Sequence, residues 1–366
     1  LKTYDWLIMT QPEVQNENIV LVDIDEDVIK AYGGYPLPRS FYADFLKRTN
    51  VAGITVLMPD PDIRNPNNDF ILAGAMMRVP TVLAYSASTQ ATEGGPHVGT
   101  AQLGEDPTSW LYNYPGILRQ VPVLAESAEG VGVINSAPEL DGVVRRVPLV
   151  VTSQNKLYPS FALEMLRVAV DDPSYQINTQ STGVEWLRIP SYPPIKTDAN
   201  GRIWITSNVK FYRQSAAEFL RTPMEGAVWV IFGVTAEGIV NPVPTAKGPM
   251  YPHEIQANIL HHIAEGTSPV EPVWAEVAEL GATFLGLVLL LLTFPIAIIE
   301  KSLPFGSFIL FIILFAGLVR NPNVPYFVRY NACQALLIDI ALIIISYLLR
   351  IFPIVELGSI IFIFTL

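Results

Sequence analysis

The sequence of 366 residues has one cysteine, Cys333. A lone cysteine excludes an intrachain disulfide and any cysteine-rich zinc or iron–sulfur site. Charge is also scarce, at 16% of residues, against about 25% in an average soluble domain. The deficit lies after position 270, where four bases and six acids remain. The preceding residues carry a net charge of −9. Such an acidic head lacks the basic patch that neutralises phosphate, so nucleic acid is not an expected partner. Signature motifs are missing too. No Walker loop, G-x-G-x-x-G or G-x-S-x-G occurs, and no nucleophile–base pair is readable. The expectation is a protein that is not an enzyme and needs no cofactor. His253-Glu254 begins a zinc-like motif, but Ala257 stands where a second histidine is required. His261 and His262 lie more than two helical turns from His253, so no metal site is expected.

What is present divides at about residue 270. Residues 1–270 alternate strand-like and helix-like segments. The run Ile19–Asp25 reads as a buried strand, Arg39–Thr49 as a helix, Gly53–Met58 as a strand, Asn68–Arg78 as a helix and Thr81–Tyr85 as a strand. This β-α-β-α-β series predicts a parallel sheet with crossover helices. Residues 87–121, rich in Gly and Pro, read as a long loop or insertion. A strand follows at 130–135. The segments 143–152 and 157–161 flank the turn-like Ser153–Lys156 and predict a hairpin. A helix is expected at 161–170 and strands at 184–189, 195–197 and 202–207. Asp198-Ala-Asn-Gly201 predicts a hairpin between the last two. Then come a helix at 214–221, a strand at 227–234 and a helix at 253–265. The predicted class is an α/β domain with a mixed, largely parallel sheet.

Residues 271–366 carry apolar runs near 281–299, 303–319, 332–350 and 354–366. A spanning helix needs about 20 apolar residues, so an α-helical transmembrane bundle of three to four spans is expected, with membrane lipid as a partner. The chain begins at Leu1 and stops at Leu366 inside an apolar run, and is expected to be part of something longer.

Several polar residues are candidates for function. Asp23, Asp25, Glu26 and Asp27 cluster at the end of the first strand, and Asp60 and Asp62 end the second in the same layer, where the two sets could share a cleft. The carboxyl ends of parallel strands are where α/β folds bind ligands; acids there also suit a helix N-terminus. Tyr35-Pro36-Leu37-Pro38-Arg39 reads as a cleft wall or as a rigid turn. Asp141-Gly142 followed by Arg145-Arg146 reads as turn chemistry and a charged strand edge, or as an anion site. In the tail, Asp339 falls within an apolar run, where an acid must face other helices or water. It suits a polar pathway or an interhelical contact. Arg320, Asn321, Asn323, Arg329 and Asn331 form a polar loop, with Gln334 just beyond, which the positive-inside rule places in the cytoplasm.

Two resemblances follow from particular residues. Tyr4-Asp5-Trp6, IVLVDIDED at 19–27, Pro36–Arg39, Gly132-Val-Ile-Asn135, Asp141–Arg146, Tyr158-Pro-Ser-Phe-Ala162, Gly233–Gly238 and Glu254-Ile-Gln-Ala-Asn258 occur in order across 1–266. In these the head resembles the second type of CHASE domain, an extracytoplasmic sensory module. Where such domains often carry His in the last motif, Gln256 stands here. In the tail, Leu303-Pro-Phe305, Leu318–Asn323, Phe327-Val-Arg-Tyr-Asn331 and Gln334–Asp339 resemble the channel family of the chloroplast inner-envelope Tic translocon and its cyanobacterial relatives. The resemblances imply a membrane-anchored protein of cyanobacterial type, in thylakoid or plasma membrane, with its head in lumen or periplasm. Three functions are compatible with them. The head recognises a ligand or protein; the chain is an accessory or assembly subunit of a large membrane complex such as a photosynthetic one; or the bundle forms part of a protein-conducting path. Homo-oligomers or other chains are the expected protein partners. The resemblances place the Arg320–Arg329 loop on opposite sides of the membrane. A further span or a re-entrant segment reconciles them.

Overall fold

The computed structural model describes residues 2–92, 95, 99–223, 226–270, 274–302 and 306–351. The chain divides into two compact units, Leu1–Val270 and Glu271–Leu366.

The first unit is built on a twisted sheet. Its strands are β1 (Val14–Ile24), β2 (Val51–Ile54), β3 (Thr81–Ser88), β4 (Gly116–Leu118), β5 (Gly130–Val133), β6 (Val209–Ser215) and β7 (Trp229–Val234). The order is β6-β1-β7-β2-β3-β5, every neighbouring pair parallel, with β4 antiparallel to the far end of β3. The mixed, largely parallel sheet expected from the sequence is therefore present. Both sheet faces are covered, which is why the strands read as near-continuous apolar runs. Ile19 and Leu21 belong to one core cluster, Val20, Val22 and Ile24 to the other. The alternation is that of a strand, whose successive side chains point to opposite faces.

Helices α1 (Lys2–Thr10), α2 (Glu26–Ala31), α3 (Arg39–Leu46), α4 (Asn67–Met76), α5 (Pro122–Ser127), α6 (Phe161–Ala169), α7 (Ala216–Arg221) and α8 (Pro252–Glu265) complete the unit. Helix α6 begins with Ser160 accepting from the Leu163 N–H, an ordinary side-chain N-cap. It lies very close to β5, because a Cβ on Gly132 would sit 2.4 Å from the Phe161 Cα.

The hairpin expected around Ser153–Lys156 forms. Val150–Ser153 pairs antiparallel with Lys156–Pro159, and Gln154 and Asn155 both have positive φ, as a two-residue type I′ turn requires. The second expected hairpin does not form. Asp198–Arg202 makes a tight turn, with Gly201 N–H donating to the Asp198 carbonyl. Its arms then part: Ile195–Lys196 pairs with Gly183–Arg188, while Arg202–Trp204 pairs with Arg146–Pro148. The Asp198 carboxylate, bonded to Arg202 Nε at 2.8 Å and Arg146 Nη1 at 3.3 Å, holds the turn without a ladder. The segment 87–121 also contains more structure than a loop, since Thr100–Gly104 pairs parallel with Tyr175–Gln180.

The second unit holds helices α9 (Ala275–Ser302), α10 (Gly306–Leu314) and α11 (Tyr326–Ile351), with a wide-turn segment at Phe315–Val319. Among the described residues, no helix is long and apolar enough to cross a membrane. The span expected at 354–366 lies outside the described residues.

Candidate functional site

A cleft of about 240 Å³ opens at the carboxyl ends of β2 and β7. Thr55, Val56 and Leu57 leave β2, Val234 ends β7, and Ile134 follows β5. Ile239 and Val240 form one rim, Tyr35 another, and Pro252 and His253 close it from the first turn of α8. The rim loop is tied back to α2 by the Glu237 N–H, which donates to Glu26 Oε1 at 2.7 Å. Gln256 steadies the opposite wall. It is fully buried, donates to the Ile134 carbonyl at 3.2 Å and accepts from the Ala162 N–H at 3.1 Å.

His253 links this cleft to a chain of ions. Its Nε2 lies 2.9 Å from Asp23 Oδ1. Arg213 on β6 grips the same carboxylate with Nε at 3.0 Å and Nη2 at 3.1 Å, and its Nη1 lies 3.1 Å from Glu254 Oε2. Burial pushes the Asp23 carboxyl up, but the bonds from His253 and Arg213 outweigh it and hold it below the usual range. The imidazole fits because β7 offers Gly233 at this point; a Cβ there would sit 2.2 Å from His253 Cγ and Nδ1. With Asp23 ionised, Nε2 carries the proton and donates it.

The other candidate acids serve the framework. Asp25 Oδ1 accepts from the Val28 N–H at 2.9 Å as the N-cap of α2, and Oδ2 accepts from Ser215 Oγ at 2.7 Å. Asp27 is exposed in the first turn of that helix, where the dipole favours an acid. Asp60 is exposed and lies six residues past the end of β2, not at its tip. Its carbonyl accepts from Arg39 Nη2 at 2.8 Å. Arg39 is buried, facing Asp69 at 3.4 Å. Asp62, held below the usual carboxylate range, accepts from the Arg39 and Arg64 N–H groups. None of these acids lines the cleft.

Arg145 and Arg146 lie in a separate ionic cluster. Arg145 is fully buried between Asp5 on α1 and Asp141, and its bond holds the Asp141 carboxyl down to about 2. Arg146 is paired with Glu139 at 2.7 Å and sits 4.9 Å from the Trp204 ring centre. The turn-and-edge reading of 141–146 thus describes its place, with α1 as the unforeseen partner.

In the second unit, Arg329 Nε donates to the Val319 carbonyl at 3.1 Å, and Gln334 Nε2 to Tyr330 Oη at 3.2 Å. Asn331 is exposed. Asp339 lies on α11, its side chain outside those described. Among the described residues, no group of His, Cys, Asp and Glu is arranged to hold a metal.

Sequence reasoning weighed His253 only as a metal ligand and missed its pairing with Asp23, 230 residues away. Only the adjacency of β1 and β7 brings the two together, and neither spacing nor composition signals it.

The family model for the CHASE2 domain matches residues 1–293. The model described as chloroplast import apparatus Tic20-like matches residues 276–365. The chain is 43% identical over 60 residues to a Tic20 family protein of Synechocystis sp., covering 15% of this chain and 38% of that protein. It is 44% identical over 59 residues to protein TIC 20-v, chloroplastic, of Arabidopsis thaliana, covering 16% of this chain and 28% of that one. The chain therefore spans well under half of the curated relatives it matches. No solved structure matches it. The two family matches share residues 276–293, which lie in α9. With most of its length matched, the chain belongs to the CHASE2 domain family and carries a Tic20-like region at its C-terminal end.

Proposed function

We propose that the chain is a membrane-anchored recognition protein whose extracytoplasmic head binds its ligand in the cleft beside His253. The observation that carries this reading is the cleft's position. It lies at the carboxyl ends of parallel strands, where open α/β sheets bind ligands, and its histidine is tied to three charged residues from β1, β6 and α8.

Membrane attachment is supported by the apolar surface of the second unit. Phe284, Leu285, Leu287 and Phe294 on α9 and Leu337, Ile338 and Leu342 on α11 are exposed. Water does not tolerate such continuous apolar surface without lipid or protein to cover it.

Extraction of the full chain from its native membrane in mild detergent, followed by size analysis and mass spectrometry, tests the reading. The expected result is a small particle of this chain alone. A large defined complex would instead make the head a docking surface of an accessory subunit. The Tic20-like match supports one further reading, a protein-conducting path through the tail. That reading is lost if Asp339→Asn leaves protein transport unchanged.

A further inference from the structure

We propose that the cleft selects an uncharged, mostly apolar small molecule with few polar atoms. The proposal rests on the head being a recognition domain. Of the ten residues lining the cleft, Val56, Leu57, Ile134, Val234, Ile239, Val240 and Pro252 are apolar, and only Tyr35, Thr55 and His253 carry polar side chains. None is Lys, Arg, Asp or Glu, although the head as a whole is rich in acids. The Thr55 hydroxyl already donates to the Phe232 carbonyl at 2.7 Å, and His253 Nε2 is held by Asp23.

A charged ligand would find no Lys, Arg, Asp or Glu side chain in the lining. The nearby charges Asp23, Arg213 and Glu254 are bonded to one another, and none lines the cleft. Burying a charge without a partner costs far more than burying an apolar group gains. Size narrows the class further. The volume of about 240 Å³ falls below the range of about 300–1,000 Å³ typical of drug-sized ligands, so a small ligand fits best. The rim matches this chemistry. Ile239 stays 36% exposed while lining an apolar cleft, which leaves apolar surface for a ligand to cover.

The probes are 2-naphthol, neutral and fluorescent, and its charged counterparts 2-naphthoate and 2-naphthylmethylammonium. Binding is read by fluorescence titration on the full chain in detergent, as the saturable difference between the native chain and Ile239→Trp, which fills the rim. Partition into the micelle is common to both and cancels. Val240→Phe serves as a second filling variant, and the unfolding midpoint of each variant checks its fold. The expected result is saturable 2-naphthol binding that weakens at least tenfold in both variants, with both ions at least tenfold weaker on the native chain. Equal or tighter binding of either ion overturns the ligand class and leaves the recognition reading standing. If no probe shows a saturable difference, the cleft is not the recognition site and both readings fall.

Discussion

Arg145 and Asp5 meet in a two-pronged ion pair, Nε to Oδ1 and Nη2 to Oδ2, each at 2.6 Å. The pair spans 140 residues and locks α1 onto the body of the head. Tyr4 adds a second anchor, its hydroxyl donating to the Ile205 carbonyl at 2.9 Å and its ring 4.5 Å from that of Trp204. Removing the buried guanidinium leaves Asp5 and Asp141 facing each other unpaired. Arg145→Met is expected to destabilise the head by about 3 kcal/mol, measured by urea unfolding of the full chain. Asp5→Asn should cost less, because Asp141 still holds the guanidinium.

Gly233 leaves the space that the His253 ring occupies. Gly233→Ala is expected to displace the imidazole from Asp23 and to cost about 1–3 kcal/mol, as overpacking generally does. The check is the unfolding midpoint together with the histidine resonance in NMR. An unshifted His253 signal in a stable variant would contradict the close approach.

His262 gives the head a pH dependence with a definite sign. Its Nε2 accepts from the Thr206 N–H at 3.1 Å, and its Nδ1 faces Thr267 Oγ1 at 2.9 Å. Burial, with the neighbouring His261 adding to it, lowers its pKa to about 3. In the unfolded chain a histidine titrates near its ordinary value of about 6.5. Below that pH the unfolded state binds a proton that the native state refuses. Stability should therefore fall as pH drops from about 6.5 towards 3, by about 1.4 kcal/mol per pH unit from this group. Burial lowers His261 as well, against the pull of Glu265, and adds to the same trend. Denaturation from pH 7.5 to 4.5 measures the slope. His262→Gln should flatten it, whatever its effect on stability at pH 7.5.

Asp25 stands close in sequence to Asp23 yet does different work, capping α2 and accepting from Ser215. Asp25→Ala is expected to cost about 1 kcal/mol, the usual loss of an N-cap, and to leave 2-naphthol binding unchanged. A large loss of probe binding in a folded variant would return Asp25 to the recognition site.

The sequence by itself determined the parallel sheet, because strands buried on both faces must be apolar throughout, as Ile19–Val22 and Val230–Phe232 are. It also determined the turn at Gln154-Asn155, where local chemistry suffices. The turn at Asp198–Gly201 was equally legible, but the destinations of its arms were not, since Arg146–Pro148 competes for one of them from 50 residues away. The same limit governs the site. The acids of 23–27 announced the carboxyl end of a strand, and the Pro-rich segment supplied Tyr35 as a wall. Which acid pairs with the histidine of the cleft was decided only when β7 came to lie beside β1 and set Gly233 against His253. Strand order follows from the packing of the whole domain, and residues 230 positions apart become neighbours only through it.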